Sequence, residues 1–356
     1  MSHRSSILKS ILNLSAWRVL FFTDMHTCIM TVYYLVTINK LEMHVNLSKT
    51  LLLLASLGFY LIYGVLVNDY FDISTDKKAG DHREIHSLPK IYVIFIMIIL
   101  VSFNYMLIFT YINQYIITIV FSIAYILATL YSAPPFRLKS RGLYGLIINM
   151  LIEQTLPVFL ISNFFNYFST DILFLLILVS LRQLELIIIH QYVDYKGDQQ
   201  SGVRTFAVEI GAKKTLKILQ YLQPIVALLY VMFSIIIIIK QPFFIVFYVP
   251  LTAGYFILSK LKSSKSYDAE PSKFGPARYY ADESKIGDLR LSLSSYLGIS
   301  YEGPFSLFSG VILTIISPHF IVLLLVTIIT QFYFLKGHYR AVFQGVAQFV
   351  GQNKGR

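Results

Sequence analysis

An amide and three carboxylates stand at regular spacing in the segment NDYFDISTDKKAG, residues 68–80: Asn68, Asp69, Asp72 and Asp76. On a helix, with about 100° between successive residues, these four side chains fall within an arc of about 100°. They form one acidic stripe at the end of a long apolar run. Oxygen donors of this kind suit a hard divalent cation, and Mg²⁺ usually shares its coordination sphere with substrate phosphates.

A second acidic segment, HQYVDYKGDQQSG at 190–202, repeats the D-x-x-x-D register of the first. At a constant offset of 122 residues, four pairs coincide: Tyr70/Tyr192, Asp72/Asp194, Asp76/Asp198 and Gly80/Gly202. A single D-x-x-x-D favours a solvated acidic patch, with Lys77 and Lys78 as counterions. Two of them, each at the end of an apolar run, instead predict two halves of one helical bundle that face a common metal site. His190 lies one helical turn before Asp194.

Two basic segments are candidates to bind phosphate oxygens. The first, YSAPPFRLKSRG at 131–142, has a Pro-Pro pair that ends a helix. The second, at 194–215, is punctuated by glycines, of which Gly202 is interpreted as a turn. Cationic side chains neutralise the charge of a departing phosphate group, and they also favour retention of their loops in the cytoplasm. The candidate side chains are Arg137, Lys139, Arg141, Lys196 and Arg204.

The elements that position these residues must be membrane helices. The chain has 356 residues, 56% of them hydrophobic and 14% charged, and its mean hydropathy is +0.64. This composition is typical of a polytopic membrane protein. Uncharged runs long enough to cross a bilayer, about 20 residues each, recur along the chain. We predict an all-α bundle of nine transmembrane helices, at 19–38, 50–68, 91–111, 114–131, 144–162, 172–193, 218–239, 242–259 and 310–335.

The distribution of positive charge predicts the orientation of this bundle. With the N-terminus in the cytoplasm, the segments on that side hold 22 Lys and Arg residues, and those on the opposite side hold seven. The basic C-terminal tail is the one discordant element. The net charge of +11 is attributed to topology and to contact with anionic membrane lipid, and no nucleic-acid partner is predicted.

The predicted organisation is a single integral-membrane domain over residues 1–356, in the cell (inner) membrane. Residues 260–304 are predicted to form a long polar cytoplasmic loop, either a flexible cap or a short interfacial helix. Polar side chains also occur within the predicted spans, where they normally face the protein interior. Arg182 and Glu185, three residues apart, are expected to neutralise each other. Asn149 and Glu153, on one face of a helix, are candidates for an acceptor pocket.

These motifs resemble those of the UbiA superfamily of intramembrane prenyltransferases. The matching patterns are NDxxDxxxD from Asn68 to Asp76, DxxxD from Asp194 to Asp198, YSxPPxRxKxRG over 131–142 and GVxTFxxxxG over 202–211. The resemblance implies an all-α bundle with cytoplasmic loops that cap a central cavity. It implies that Mg²⁺ and a prenyl diphosphate are bound by Asn68, Asp72, Asp76, Asp194 and Asp198, supported by Asp69. It also implies that Arg137, Lys139 and Arg204 hold diphosphate oxygens.

Three functions remain open from the sequence. The first is Mg²⁺-dependent transfer of a prenyl group to an aromatic or other lipid-soluble acceptor, with Asp72, Asp194 and His190 as catalytic candidates. His190 would orient the acceptor or take its proton. The second is terpene cyclisation, in which the cation is quenched without an acceptor. The third is cation-coupled transport, which is disfavoured because the aspartates lie at the cytoplasmic ends of helices rather than near the bilayer midplane.

Overall fold

The structure is a computed structural model that describes residues 10–11, 13–21, 23–40, 47–78, 83–260 and 293–332. These residues form helices and their connections, and no strand occurs among them beyond one isolated bridge between Gly142 and Thr205. The prediction of an all-α fold is confirmed.

Within these described ranges, eight helical segments are long and apolar enough to cross a membrane. We label them with the two shorter apolar helices in chain order: α1 Ala16–Ile38, α2 Leu47–Lys78, α3 Lys90–Ile112, α4 Tyr115–Ser132, α5 Leu143–Phe164, α6 Thr170–Val193, α7 Ala212–Lys240, α8 Pro242–Tyr255, α9 Leu293–Ile316 and α10 Pro318–Phe332. The protein is therefore an integral, multi-pass membrane protein. The predicted count of nine spans is not confirmed, because the described residues contain eight long helices and two short ones.

The bundle has two chemically different ends. At one end, Asp171 at the start of α6 accepts hydrogen bonds from Tyr34 of α1 and Ser169. Lys240 at the end of α7 lies 2.8 Å from the Asp171 carboxylate. This polar contact joins α1, α6 and α7 where their apolar runs stop. The acidic motifs lie at the other end, because α6 runs from Asp171 to Asp194.

The C-terminal part of the bundle differs from the prediction in two ways. The predicted polar loop does not extend to residue 304, because α9 begins at Leu293. The polar residues that suggested a loop are buried inside the bundle, where Ser294 donates a hydrogen bond to Glu185. The single span predicted at 310–335 is also wrong. The chain leaves the helix at Ser317 and begins another at Pro318, since proline cannot continue the helical hydrogen-bond ladder.

The direction of α10 follows from its contacts with α1. The hydroxyl of Tyr33 lies 2.9 Å from that of Thr327, and His26 Nε2 lies 3.1 Å from the Thr330 carbonyl. As α10 advances, it contacts earlier residues of α1, so the two helices are antiparallel. The end of α10 at Phe332 therefore lies towards the end of the bundle at which α1 begins.

Candidate functional site

The first acidic motif lies on one uninterrupted helix, as predicted. Helix α2 continues to Lys78, beyond its apolar part, which ends at Ser74. Lys139 Nζ donates to Asn68 Oδ1 at 2.8 Å and also contacts the carboxylate of Asp72. Arg137 donates to the other oxygen of Asp72 at 2.9 Å. The basic segment after α4 thus meets the acidic stripe of α2 directly.

A second pair of cationic groups approaches the same stripe from the segment that follows α2. Arg83 forms ion pairs with Asp69 and, at 3.3 Å, with Asp76. His86 Nε2 lies 3.6 Å from the Asp76 carboxylate. Neither residue was among the candidates predicted from the sequence. Their one signal in the sequence is their position a few residues beyond the stripe. The short helix Glu84–Ser87, which folds the chain back towards Asp76, is what brings them to it.

The second acidic motif marks the point at which α6 ends and the short helix Tyr195–Ser201 begins. His190 Nε2 lies 3.4 Å from Asp194 Oδ2, and both side chains are about half exposed. Thr205 donates a hydrogen bond to Asp198 at 3.1 Å. Burial raises the pKa of the Asp198 carboxyl, as does the charge of Asp194, and the Thr205 hydroxyl opposes this shift.

A direct contact between two loops brings the motifs together. Gly142, at the end of the basic segment, bridges to Thr205 and donates its N–H to the Arg204 carbonyl at 3.5 Å. Gly142 has φ +51 and ψ −119, a backbone conformation accessible mainly to glycine. The loop that carries Lys139 to Asp72 is therefore joined to the loop that carries Thr205 to Asp198.

Lys139 is the cation shared by both acidic motifs. Its charge is close enough to favour the ionised form of Asp198, in addition to its contacts with Asn68 and Asp72. Burial lowers the pKa of the Lys139 ammonium, and the Asp72 carboxylate opposes that shift. A partly buried cation between carboxylates is well placed to attract a phosphate group.

The other predicted phosphate-binding cations do not contact the carboxylates of the acidic motifs among the described residues. Lys196 and Arg204 are exposed, and neither side chain forms a hydrogen bond or ion pair with another described residue. Arg141 donates to the backbone carbonyls of Phe136 and Pro135 and not to a carboxylate. Within the described ranges, no cluster of three or more His, Cys, Asp or Glu side chains is positioned to hold a metal ion.

The predicted acceptor residues form a buried polar cluster inside the bundle. Asn149 donates to Glu153 at 2.7 Å, and Gln183 of α6 donates to Asn149 at 2.9 Å and to Glu153. Tyr131, at the end of α4, lies close enough to Asn149, Asp72 and Asp198 to interact with all three side chains. Tyr131 thus connects the acidic end of the bundle with the buried cluster. Gln183 had no signal in the sequence beyond its polarity within a span.

The predicted pairing of Arg182 with Glu185 is confirmed, with a distance of 2.8 Å between Nη1 and Oε2. Both side chains are buried. Arg182 occupies space left by the absent side chain of Gly298 on α9, where a Cβ atom would lie 2.8 Å from Nε. This pair links α6 to α9 and is separate from the acidic motifs.

Fold and site together define an all-α membrane protein that gathers carboxylates and cations at one end of its bundle. A model of the UbiA prenyltransferase family matches residues 29–281, and the chain belongs to that family. It is accordingly a prenyltransferase, and the transporter alternative is not supported.

Individual relatives are distant. Digeranylgeranylglyceryl phosphate synthase of Saccharolobus solfataricus is 26% identical over 216 residues, which cover 58% of this chain and 69% of that protein. The fold is similar to that of a UbiA homolog from Archaeoglobus fulgidus. Its structure bound to GPP and Mg²⁺ has a TM-score of 0.53 at 18% identity, covering 81% of this chain and 99% of that one. Its structure bound to DMAPP and Mg²⁺ has a TM-score of 0.52 at 17% identity, with the same coverage.

Proposed function

We propose that this protein transfers a prenyl group from an allylic prenyl diphosphate to a lipid-soluble acceptor, with Mg²⁺ as cofactor. The observation that carries the proposal is the position of Lys139, which contacts Asn68 and Asp72 and also interacts with Asp198. An alternating set of cations and carboxylates at the mouth of an apolar bundle suits a substrate with a charged diphosphate head and an apolar tail. The ligands named for the Archaeoglobus homolog support this choice of substrate and metal.

The oxygen donors at the site fit Mg²⁺. Asn68, Asp72, Asp76, Asp194 and Asp198 offer carboxylate and amide oxygens only, which this hard cation prefers. Bound there, Mg²⁺ would offset the negative charge of the diphosphate. Asp69 supports the set through its ion pair with Arg83.

The cations of the site have a second role in this proposal. Arg137, Lys139 and Arg83 are paired with carboxylates in the structure, and a diphosphate offers them oxygens of the same charge. Exposed Lys196 and Arg204 are proposed to approach the outer phosphate. The bond between the prenyl C1 and the diphosphate oxygen breaks, and the electron pair leaves with the diphosphate. The cations stabilise that charge as it develops.

The acceptor then forms a bond to the prenyl C1 and loses a proton. We propose His190 as the group that orients the acceptor or takes this proton, because its ring lies beside Asp194 at the same end of the bundle. Asn149 and Glu153 are proposed to contribute to the acceptor pocket. We further propose that the acidic end of the bundle faces the cytoplasm, with the N-terminus on that side, and that the protein resides in the cell membrane.

The test uses the full chain reconstituted in lipid with Mg²⁺, prenyl diphosphates of several lengths, and candidate acceptors present or absent. Diphosphate release and lipid products are measured, the latter by mass spectrometry. Asp72→Asn and Asp194→Asn should each abolish release. Release that is unaffected by both substitutions would refute the proposed site, and release with a cyclic product in the absence of acceptor would replace transfer by cyclisation. Full activity of His190→Ala at every pH would remove His190 from the mechanism.

A further inference from the structure

Two acidic side chains of the bundle interior take no part in the diphosphate site. Asp24 lies on α1 and Glu153 on α5, and both are enclosed deep within the protein. Part of each side chain nevertheless remains uncovered, as does part of Tyr131. Their partial accessibility inside a packed bundle is the basis on which we place an internal space between them. Tyr131 lies within interaction distance of Asn149 on this side and of Asp72 and Asp198 at the acidic end.

The side chains around this space offer more hydrogen-bond acceptor atoms than donor groups. The side-chain NH₂ group of Gln154 donates to Asp24 at 3.0 Å, and that of Gln183 donates to Asn149 and Glu153. The side-chain carbonyl oxygens of Gln154 and Gln183 are buried, and neither has a hydrogen-bond partner among the described residues. Buried polar atoms are nearly always paired, so the cluster favours a ligand that donates hydrogen bonds.

The charges around the space also restrict the ligand. No lysine or arginine of the described residues forms an ion pair with Asp24 or Glu153. The buried cation of the neighbouring helix α6, Arg182, is paired with Glu185 at 2.8 Å. An anionic head group would enter a region of low dielectric that holds two acidic residues and would find no cation to pair with there. Burial of an uncompensated charge is strongly unfavourable.

Glu153 and Gln154 lie in a π-helical turn, Leu151–Thr155, within α5. Such turns add a residue to the helix and occur frequently at functional sites. Here the turn lets two consecutive side chains reach different partners, Glu153 towards Gln183 of α6 and Gln154 towards Asp24 of α1. Both partners thereby line the space between the three helices.

From these contacts we infer that the acceptor of the proposed prenyl transfer is an uncharged molecule that carries at least one hydroxyl group, bound between Asp24 and Glu153. Acceptors whose head group is a phosphate or a carboxylate are excluded from this pocket. The inference rests on the proposed function and deepens it by naming the acceptor class. The hydroxyl donates to the acidic side chains or to the carbonyl oxygens of Gln154 and Gln183.

The test compares matched acceptors that differ in one charged group. The full chain in lipid, with Mg²⁺ and a prenyl diphosphate, is given hydroquinone or 4-hydroxybenzoate, and a dialkylglycerol or its phosphate. In at least one pair, the neutral member should be prenylated with a kcat/KM about tenfold higher or more, equivalent to about 1.4 kcal/mol. Equal or better use of the charged member in both pairs would overturn the inference.

Substitutions test whether this pocket sets the preference for neutral acceptors. Glu153→Gln and Asp24→Asn replace an acidic group by an amide with little change of shape. Each should raise the KM for the neutral acceptor and raise the relative use of its charged partner about fivefold or more. Asp171→Asn, the same type of change at the opposite end of the bundle, is the matched control and should leave the preference unchanged. A preference that stays at the wild-type value in both pocket variants would assign selection to another part of the protein and overturn the inference.

Diphosphate release distinguishes failure of the neutral-acceptor inference from failure of the proposed function. If the protein prenylates acceptors without preferring neutral ones, the inference fails and the proposed function stands. If diphosphate is released and no hydroxyl-bearing acceptor is prenylated, the acceptor class is wrong. If no prenyl diphosphate is consumed under any condition, the proposed function fails and the inference fails with it.

Discussion

Gly142 lies so close to Glu209 that a Cβ atom at residue 142 would be 1.7 Å from Glu209 Oε2. Gly142 is also the residue that joins the loop of Lys139 to the loop of Thr205 and Asp198. The contact between the two halves of the site therefore depends on a position without a side chain.

Gly142→Ala should impair the site mainly through its backbone conformation. A non-glycine residue at φ +51 and ψ −119 is strained, at a cost of about 1–3 kcal/mol. We expect kcat/KM for the prenyl diphosphate to fall by about tenfold or more, because the loop that carries Lys139 is displaced. The double variant Gly142→Ala/Glu209→Ala relieves the clash without relieving the strain. Recovery of the wild-type kcat/KM in the double variant would contradict this prediction, because it would assign the whole effect to the clash with Glu209.

Thr205→Val should weaken the use of Mg²⁺. The substitution keeps the shape of the side chain and removes the hydroxyl that donates to Asp198 at 3.1 Å. A hydrogen bond to a charged group contributes about 1.5–3 kcal/mol, so the Mg²⁺ concentration for half-maximal activity should rise about tenfold. Thr205→Ser keeps the hydroxyl and should behave like the wild type. The measurement is a Mg²⁺ titration of the activity of both variants. The same Mg²⁺ concentration for half-maximal activity in Thr205→Val and Thr205→Ser would contradict this prediction.

Arg83→Gln should reduce the affinity for the diphosphate. Arg83 contacts Asp69 and Asp76, so its removal weakens the compensation of their charges and removes a donor for phosphate oxygens. We expect the KM for the prenyl diphosphate to rise about tenfold, with a smaller effect on the KM for the acceptor. Arg141→Gln is the matched control, because Arg141 contacts backbone carbonyls of its own loop. Similar changes in the two variants would point to general loss of positive charge instead of a specific contact.

Arg182→Ala should destabilise the bundle without altering the chemistry. The substitution leaves Glu185 buried, with its cation removed, and also removes the attraction of Arg182 for the carboxylate of Glu302. The loss of one partner of a buried ion pair costs about 3–5 kcal/mol. Thermal unfolding in detergent should therefore begin at a clearly lower temperature. The double variant Arg182→Ala/Glu185→Gln should recover part of the lost thermal stability. If it is no more stable than Arg182→Ala, the buried charge of Glu185 is not the cause of the loss.

Several features could be predicted from local chemistry. The apolar runs predicted an all-α membrane protein, since a bilayer-spanning chain must satisfy its backbone hydrogen bonds internally. The spacing of Asn68 to Asp76 predicted one acidic stripe, and the structure has one continuous helix there. The predicted pairing of Arg182 with Glu185 was also local, because three residues along a helix lie on one face.

Other features depend on contacts between distant segments. Serines and a glutamate at 294–302 suggested a loop, and only burial against Arg182, Glu185 and Gln331 makes that segment a membrane helix. The approach of Arg83 to Asp69 and Asp76 depends on how the chain turns back after α2.

By itself, the sequence determined that the protein is an all-α membrane protein and that Asn68 to Asp76 form one stripe on a helix, because these features follow from composition and short-range periodicity. Only the tertiary structure decided that the charge of Lys139 reaches both motifs, that Gly142 joins their loops, and that Asp24 and Glu153 lie near each other inside the bundle. The physical reason is that these arrangements arise between residues far apart in the chain, where helix packing and loop geometry decide which groups meet.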